Sequence, residues 1–249
     1  MSIIEIYYHQ YDGINYESSS LDIDGVGYEP ETLVSVTPKN AIYYNCPSWL
    51  HKAKRTFLIR SPIDVDLYFI KNQNGESQLF TDHMTEYQFN NWVVSSTFGD
   101  QEWYNENIVT LQFDIPKFLF WTNHKNVWIE LKSHSYTASK NNLVSIGGWW
   151  NLSEWERPTS FAFDVVDREK KIIIKRGDPI QEVCFHTKSK NDVIKLVKKQ
   201  PSKKILERTN KILGVKKYVK RLSNDLIFKE TKNKCPFEFL WKMTPQDKG

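Results

Sequence analysis

The sequence predicts a mainly-β domain, of the barrel, sandwich or clip kind, followed by a basic α-helical region. Roughly ten short apolar segments are separated by turn residues. Hydrophobic residues make up 40% of the chain, which is enough for a packed core. Residues 1–187 carry 16 Lys/Arg and 24 Asp/Glu, a net charge of −8, whereas residues 188–249 carry 18 and 6, a net charge of +12. We therefore divide the chain into a mainly-β domain at 1–187 and a basic helical C-terminal region at 188–249.

The first strands are predicted from short runs of β-branched and aromatic residues bounded by Pro, Asn, Gly or Ser. Residues 65–70 alternate between apolar and other side chains, as expected of a half-buried strand. Pro47 predicts a short helical turn after it, because proline is tolerated at the first helical position. Asn74-Gly75 predicts a hairpin turn. The predicted strands are 3–8, 33–36, 41–44, 56–60 and 65–70.

Strand signals continue through the second half of the acidic domain, with turn-like separators at 123–126 and 167–170. No convincing helical pattern lies between them. This spacing favours a barrel, sandwich or clip over an α/β fold. The predicted strands are 108–114, 118–122, 127–133, 142–150, 160–166, 171–175 and 180–186.

The pattern changes near residue 189, where apolar residues recur at helical spacing from Val193 onward. Pro201 ends the first predicted helix, Ser202 is placed to cap a second, and Gly214 marks another break. Residues 189–230 are therefore predicted to form two or three short basic helices. Their Lys and Arg side chains suit a nucleic acid backbone or another acidic partner, although a solvated, soluble surface explains the same charge.

Several classes of protein are excluded by the sequence. No run of about 18 apolar residues is present to span a membrane, and the first residues lack the pattern of a signal peptide. Cys46, Cys184 and Cys235 are far apart, so we expect neither a disulfide framework nor a metal site, and no cofactor. We expect a cytoplasmic protein. No Walker A loop, GxSxG motif or Cys/His nucleophile pattern identifies catalytic residues, which favours a protein that is not an enzyme.

The segment 147–163, GGWWNLSEWERPTSFAF, concentrates the candidate binding residues. A tryptophan face can stack a nucleobase or a sugar, and we expect Trp155 to be exposed, with Trp149 or Trp150 anchoring the loop from below. Core packing is the alternative for these side chains, because aromatic residues dominate buried cores.

Charged and polar residues near this segment complete the candidate site. We expect Arg157 to be exposed and able to bind a phosphate. Glu154, beside Trp155, is a candidate general acid or base. His134 and Ser135 follow a predicted strand and are candidates for phosphate contact. The alternatives are a solvated loop with a local ion pair and a structural histidine.

Two motifs carry a resemblance to a known superfamily, and a third resembles another family. Gly148, Trp149, Trp155 and Glu156 match a loop pattern, and Gly177, Ile180 and Gln181 match a G-x-x-I-x-Q turn. In this order they resemble the dUTPase and dCTP-deaminase superfamily, which has a β-clip fold. The Cys-Pro-Ser-Trp-Leu segment at 46–50 resembles a family of uncharacterised phage and prophage proteins. Together the two resemblances cover about residues 41–186.

The superfamily resemblance implies a β-clip or barrel-like fold and nucleotide binding, with two departures at the site. Asn151 stands where the superfamily has an aspartate that orders water and binds the sugar, and an amide cannot act as a base. His134, within Ser-His-Ser, stands where the superfamily has a phosphate-binding arginine. These departures favour binding without efficient turnover.

The first functional hypothesis is therefore a phage-type accessory protein, in the host cytoplasm or the virion, that binds a nucleotide or related phosphorylated small molecule. The second is a structural or protein-interaction component, virion or host-directed, in which the loop at 149–157, the tryptophan loop, contacts a protein. The third is a nucleotide pyrophosphatase or deaminase-like enzyme with relocated carboxylates. In each case we expect a homo-oligomer.

Overall fold

The structure is a computed structural model, and it describes residues 2–11, 28–73, 77–97, 109–115 and 117–218. The predicted turn at Asn74-Gly75, Cys235 and any helix beyond residue 218 lie outside these residues. Fifteen strands and five helices occur within them. The predicted fold class, mainly β with a helical C-terminal region, is confirmed.

The elements follow in chain order. The strands are β1 (Ile3–Tyr11), β2 (Glu31–Thr32), β3 (Thr56–Arg60), β4 (Val65–Lys71), β5 (Ser77–Phe80), β6 (Val93–Thr97), β7 (Val109–Phe113), β8 (Lys117–Trp121), β9 (Val127–Lys132), β10 (Leu143–Ser145), β11 (Gly148–Asn151), β12 (Phe161–Val165), β13 (Ile172–Ile174), β14 (Pro179–Thr187) and β15 (Val193–Lys198). The helices are α1 (Leu33–Val36), α2 (Pro47–Ala53), α3 (Glu86–Trp92), α4 (Ser135–Asn141) and α5 (Lys203–Tyr218).

The strands form four small sheets around one hydrophobic core. Their orders are β15-β1-β8, β10-β12-β7-β6, β11-β9-β14-β3-β2 and β13-β4-β5. The pairings are antiparallel except between β1 and β15, which are parallel. One cluster of buried side chains includes members of all four sheets. β12 shows the underlying pattern, because Phe161, Phe163 and Val165 are buried while the residues between them are only partly covered.

Two predicted strands are wrong, and two helices are additional to the sequence prediction. Residues 33–36 form α1, because the Thr32 side chain accepts a hydrogen bond from the Ser35 backbone N–H and caps a helical turn. Residues 41–44 form consecutive turns held by bonds such as Tyr44 N–H to the Ala41 carbonyl. Helix α3 has a capping box between Thr85 and Gln88. Helix α4 ends at Asn142, which adopts a left-handed conformation.

The predicted strand at 142–150 is two strands that belong to different sheets. β10 pairs with β12, whereas β11 pairs with β9. The chain changes sheet at Gly147, whose φ is +75°. A Cβ atom at this position would overlap the carbonyl oxygen of Leu131, so the crossing requires glycine.

The first predicted C-terminal helix is wrong, whereas the second is confirmed. Residues 193–198 form strand β15, because they find the open edge of β1 for pairing, and tertiary pairing outweighs the local helical pattern. The Ser202 side chain accepts a hydrogen bond from the Ile205 N–H, as the predicted cap of α5 requires. The helix continues through Gly214, where a break was expected. The domain boundary at 187/188 stays a prediction.

Helix α5 packs through Ile205 and Leu206 against Tyr11, Leu119 and Trp121 on the sheet of β1. Within the described part of the chain, no helix has the length and apolar character needed to cross a membrane. The helical part of the C-terminal region therefore lies against the β core through its apolar side chains.

Candidate functional site

In the tryptophan loop, residues 149–157, two of the three tryptophan rings are packed in the core. The relative exposure of Trp155 is 3%, and that of Trp150 is 4%. Their rings meet edge to face at 6.1 Å, and the Trp150 indole N–H donates to the Trp155 carbonyl at 3.1 Å. The expected anchor role of Trp150 is confirmed. The expected exposure of Trp155 is wrong, because the loop folds its ring inward against Trp150.

Arg157 fills the space beside these two rings. Its guanidinium carbon lies 5.0 Å from the Trp150 ring centroid and 4.9 Å from that of Trp155. Such contacts stabilise a cation over an aromatic face. Burial lowers the pKa of Arg157 from its ordinary value. The expectation that Arg157 projects freely into solvent is therefore wrong, since the side chain is half-buried in the loop.

The other predicted loop residues occupy different environments. Glu154 is exposed at the turn. The Asn151 side-chain oxygen accepts a hydrogen bond from the Ser153 N–H at 3.0 Å, which holds the start of the loop. Asn151 lies opposite Trp128 across the pairing of β11 with β9. The Trp155 N–H donates to the Asn151 carbonyl at 3.0 Å, but the Asn151 side chain lies on the sheet surface and the Trp155 ring faces inward.

His134 and Ser135 lie at the start of α4. Nδ1 of His134 is 3.0 Å from Oε1 of Glu182, whose other oxygen, Oε2, is 3.5 Å from Nζ of Lys132. Ser135 is the first residue of the helix, and its side chain lies outside the described part of the structure. His134 therefore has a carboxylate partner of its own on β14.

A second set of polar side chains runs across the β9–β14 pair. The register places Glu182 opposite Lys132, Cys184 opposite Glu130 and His186 opposite Trp128. On the next strand, β11, Trp149 lies opposite Glu130. Side chains two residues apart on a strand project from the same face. One face of this sheet therefore collects a thiol, an imidazole, an ammonium, two carboxylates and two indoles.

A shallow, open groove of about 460 Å³ lies at one end of this face. The residues that line it are Asn126, Trp128, His186, Thr187 and Lys188. Trp149 is 67% exposed and Trp128 is 38% exposed, and their ring centroids are 5.2 Å apart. The Trp149 ring also meets the His186 ring edge to face at 6.4 Å. A large aromatic surface thus remains open to solvent beside the His186 imidazole and the Lys188 ammonium.

The electrostatics of this face centre on Cys184 and His186. Nε2 of His186 lies 2.9 Å from Oε2 of Glu130. Burial by itself raises the pKa of the Cys184 thiol, but hydrogen bonds with His186 and Thr56 and nearby positive charge outweigh burial, and the pKa lies below its ordinary value. The hydrogen bond with Cys184 raises the pKa of His186, and Glu130 adds to this effect. Each of these two groups therefore favours the charged form of the other.

Four of these residues are not among those that the sequence predicts for the site: Trp128, Glu130, Cys184 and His186. Their signal is a period of two. Trp128 and Glu130 alternate with buried residues in β9, and Cys184 and His186 are separated by one residue in β14. The absence of a longer Cys/His motif concealed them, because strand pairing, and not sequence spacing, brings Glu130 to the pair.

Comparisons with known proteins give a distant similarity to solved structures. No protein-family model matches the chain, and no curated protein matches it. Among solved structures, the chain is similar to the native dUTPase of EIAV, with 8% sequence identity over 79% of this chain and 95% of that chain. The TM-score is 0.34. The assignment to a mainly-β fold therefore depends on the strands and their pairing in this chain.

Proposed function

We propose that this protein binds a nucleotide or a related phosphorylated small molecule in the groove beside Trp128 and Trp149, without efficient turnover. The observation that carries the proposal is the exposed pair of indole rings, 5.2 Å apart, of which Trp128 lines the groove and Trp149 stands beside it on β11. An exposed ring of this size leaves apolar surface in water, and a planar ligand would cover it.

The aromatic pair supplies the contact for a base. Stacking of a nucleobase on an aromatic side chain contributes about 1–3 kcal/mol and accepts any base. Trp149 is the more exposed ring, and it stands on β11, where pairing with β9 fixes its backbone. The stacking surface is therefore held on a rigid element, which lowers the entropic cost of binding.

Two side chains of the groove supply contacts for a phosphate. The Lys188 ammonium is exposed, and the His186 imidazole lies beside the Trp149 ring. Donors that carry a positive charge form the stronger hydrogen bonds to phosphate oxygens. Aromatic surface and cationic donors thus stand together, as a nucleotide requires.

Lack of efficient turnover follows from Asn151. Its amide stands where the resembled superfamily has a carboxylate, and it already accepts the Ser153 N–H. An amide cannot take a proton from water, and loss of a positioned base slows a reaction by about 10²–10⁴-fold. We expect turnover of dUTP or dCTP below about 1 s⁻¹, measured as release of pyrophosphate or ammonia. Faster release of either product would favour the alternative of an enzyme with relocated carboxylates.

Calorimetric titration of the full chain tests binding. The probes are dUTP, dCTP and ATP, with ribose 5-phosphate lacking the base and uridine lacking the phosphate. Trp149→Ala should weaken nucleotide binding by about 5–150-fold, the equivalent of one stacked base. Tyr87→Ala is the matched control, because Tyr87 is 64% exposed and belongs to helix α3, outside the sheet that carries the tryptophan pair. Equal affinity in wild type and Trp149→Ala would reject the site.

A protein-interaction role is the second candidate, and the same exposed tryptophan pair favours it. Trp is enriched where protein interfaces concentrate their binding energy. If a homo-oligomer forms through this pair, replacement of both Trp128 and Trp149 by alanine should lower the molar mass measured by light scattering. In that case the wild type should bind no nucleotide. The phage-type accessory role remains part of the first proposal, and its support is the sequence resemblance around Cys46.

A further inference from the structure

We propose that Cys184, His186 and Glu130 form a binding site for a transition-metal ion of the zinc class. One donor atom from each residue can be chosen so that all three lie within 4.8 Å of one another. The inference does not depend on the nucleotide proposal, because it follows from these three donors and not from the tryptophan pair.

Strand geometry explains why the donors meet. Cys184 and His186 are two residues apart on β14, so both side chains leave the same face. Glu130 lies directly opposite Cys184 on β9. β14 is paired on both sides, with β3 and with β9, so the backbone under the site is fixed. Donors held on a paired central strand are positioned before the metal arrives.

The distances need only small side-chain movements to become a coordination sphere. Tetrahedral zinc with its usual bond lengths places a sulfur and a nitrogen ligand about 3.6 Å apart, and a nitrogen and an oxygen ligand about 3.4 Å apart. Nε2 of His186 and Oε2 of Glu130 are now 2.9 Å apart, joined through a proton. Replacement of that proton by a metal ion requires the pair to open by about half an ångström, which rotation of the half-exposed Glu130 side chain permits.

The donor set selects the metal class. A thiolate, an imidazole and a carboxylate suit zinc and its neighbours cobalt and copper, whereas magnesium and calcium prefer oxygen alone. Lys132 also lies on this face, and its charge is offset by Glu182, with Nζ 3.5 Å from Oε2. The site therefore offers two ligands that bind metal in their anionic form, Cys184 and Glu130.

Three protein ligands leave one position of a tetrahedral ion open. His186 also lines the groove, so we place the open position on the groove side. Structural zinc sites are closed by four ligands, whereas sites that act on or hold a ligand keep an open position. A metal here would accept an oxygen from an anion in the groove, and it would take over the role of the His186 donor toward a phosphate.

Cobalt binding tests the site, because a cysteine thiolate bound to Co²⁺ gives a charge-transfer absorption band. The full chain is stripped with EDTA, kept reduced and titrated with Co²⁺ alone. The sharpest variant is Cys46→Ser/Cys235→Ser, which leaves Cys184 as the remaining one of three cysteines. We expect this variant to keep the band at one equivalent per chain, and Zn²⁺ to remove it by displacement. Cys184→Ser should lack the band.

His186→Asn and Glu130→Gln test whether cobalt is coordinated by all three residues or is bound by the Cys184 thiolate alone. Each should weaken cobalt binding by at least tenfold, because each removes one ligand. The proposal is overturned if the variant with Cys184 alone gives no band, or if the band survives in Cys184→Ser. Trp149→Ala should leave the band unchanged, so failure of the nucleotide proposal and failure of this one are distinguishable. Near-ultraviolet circular dichroism checks that each variant is folded.

Discussion

Nη1 of Arg208 lies 3.0 Å from Oε1 of Glu156, and this ion pair fastens helix α5 to the tryptophan loop. The next helical residue, Thr209, donates its hydroxyl to the backbone carbonyl of Glu156 at 3.3 Å. The Glu156 carboxylate is buried, whereas the Arg208 side chain is 35% exposed. The C-terminal helix therefore contacts the segment 147–163 through Glu156, and contact with this helix is one structural role of the loop.

Removal of one partner from this pair should destabilise the fold. Arg208→Met leaves a buried carboxylate without its cation, and the expected loss is about 1–3 kcal/mol of unfolding free energy. Arg208→Met/Glu156→Gln should recover part of that loss, because no buried charge remains. Urea unfolding of the four proteins in the cycle measures the coupling. Additive effects of the two substitutions would show that the ion pair does not hold the helix.

Truncation of the buried tryptophan should destabilise the fold strongly, whereas truncation of the exposed tryptophan should have little effect. Trp155→Ala creates a cavity in the core and should cost about 3–5 kcal/mol. Trp149→Ala removes a ring that is 67% exposed and should change stability by less than about 0.5 kcal/mol. Thermal melts followed by circular dichroism compare the two. An equal fall in melting temperature would place Trp149 in the core as well.

Neighbouring glycines provide a matched test of the crossing between sheets. Gly147→Ala combines a positive φ with a clash against Leu131 and should lose about 1–3 kcal/mol. Gly148→Ala meets only the Trp150 ring, at 3.6 Å, so it should be tolerated. Chemical unfolding distinguishes them, and comparable losses would mean that Gly147 is not constrained by its backbone conformation.

The link between β4 and β13 should weaken in acid. Hydrogen bonds from Tyr68 and Lys171 lower the pKa of Asp82. The stabilisation is therefore complete above the unfolded-state pKa of about 3.9 and is lost as the pH falls through the lower folded-state value. The stability difference between wild type and Asp82→Asn should be constant from about pH 5 to 7 and shrink below about pH 4. The exposed Glu154→Gln serves as the control, and a difference that grows in acid would contradict the sign.

The basic helix should bind polyanions through its exposed lysines. Lys203→Ala/Lys204→Ala should weaken binding to single-stranded DNA and reduce the slope of log affinity against log salt by about one to two. Lys52→Ala/Lys54→Ala removes the same charge from the exposed surface of α2 and its cap, within the acidic domain, and should have less effect. Fluorescence anisotropy at several salt concentrations measures both. Equal losses would indicate attraction by net charge alone.

Sequence patterns predicted those strands whose pairing agrees with their own periodicity. Burial alternates along the whole of β12 and over the first four residues of β4, in step with the side-chain pattern. β15 could not be predicted in this way, because VIKLVK fits a helix as well as a strand, and the edge of β1 decides between them. Contacts between residues far apart in sequence supply that information, and a local pattern does not contain it.

The candidate site was less predictable than the fold for a related physical reason. Trp149, Trp150 and Trp155 look alike in sequence, yet only Trp149 is exposed. Which ring turns inward depends on the pairing of β11 with β9, which points Trp150 to the core and Trp149 away from it. The pairing of β9 with β14 brings Glu130 beside Cys184. The residue types in this region indicated binding chemistry, but the strand register determines which of these side chains are exposed and which lie side by side.

The parallel pairing of β1 with β15 sets the order in which the protein can be completed during synthesis. Ile3 pairs with Val193, so the partner of the first strand is made about 190 residues later. Until then β1 has an unfilled edge, with backbone groups open to any extended segment, including one from another nascent chain. Contacts that close so large a loop also form slowly. Fragments that end before residue 193 lack β15, so we expect them to associate with one another in the cell. Slower translation should improve folding only if the delay falls after β15 has left the ribosome.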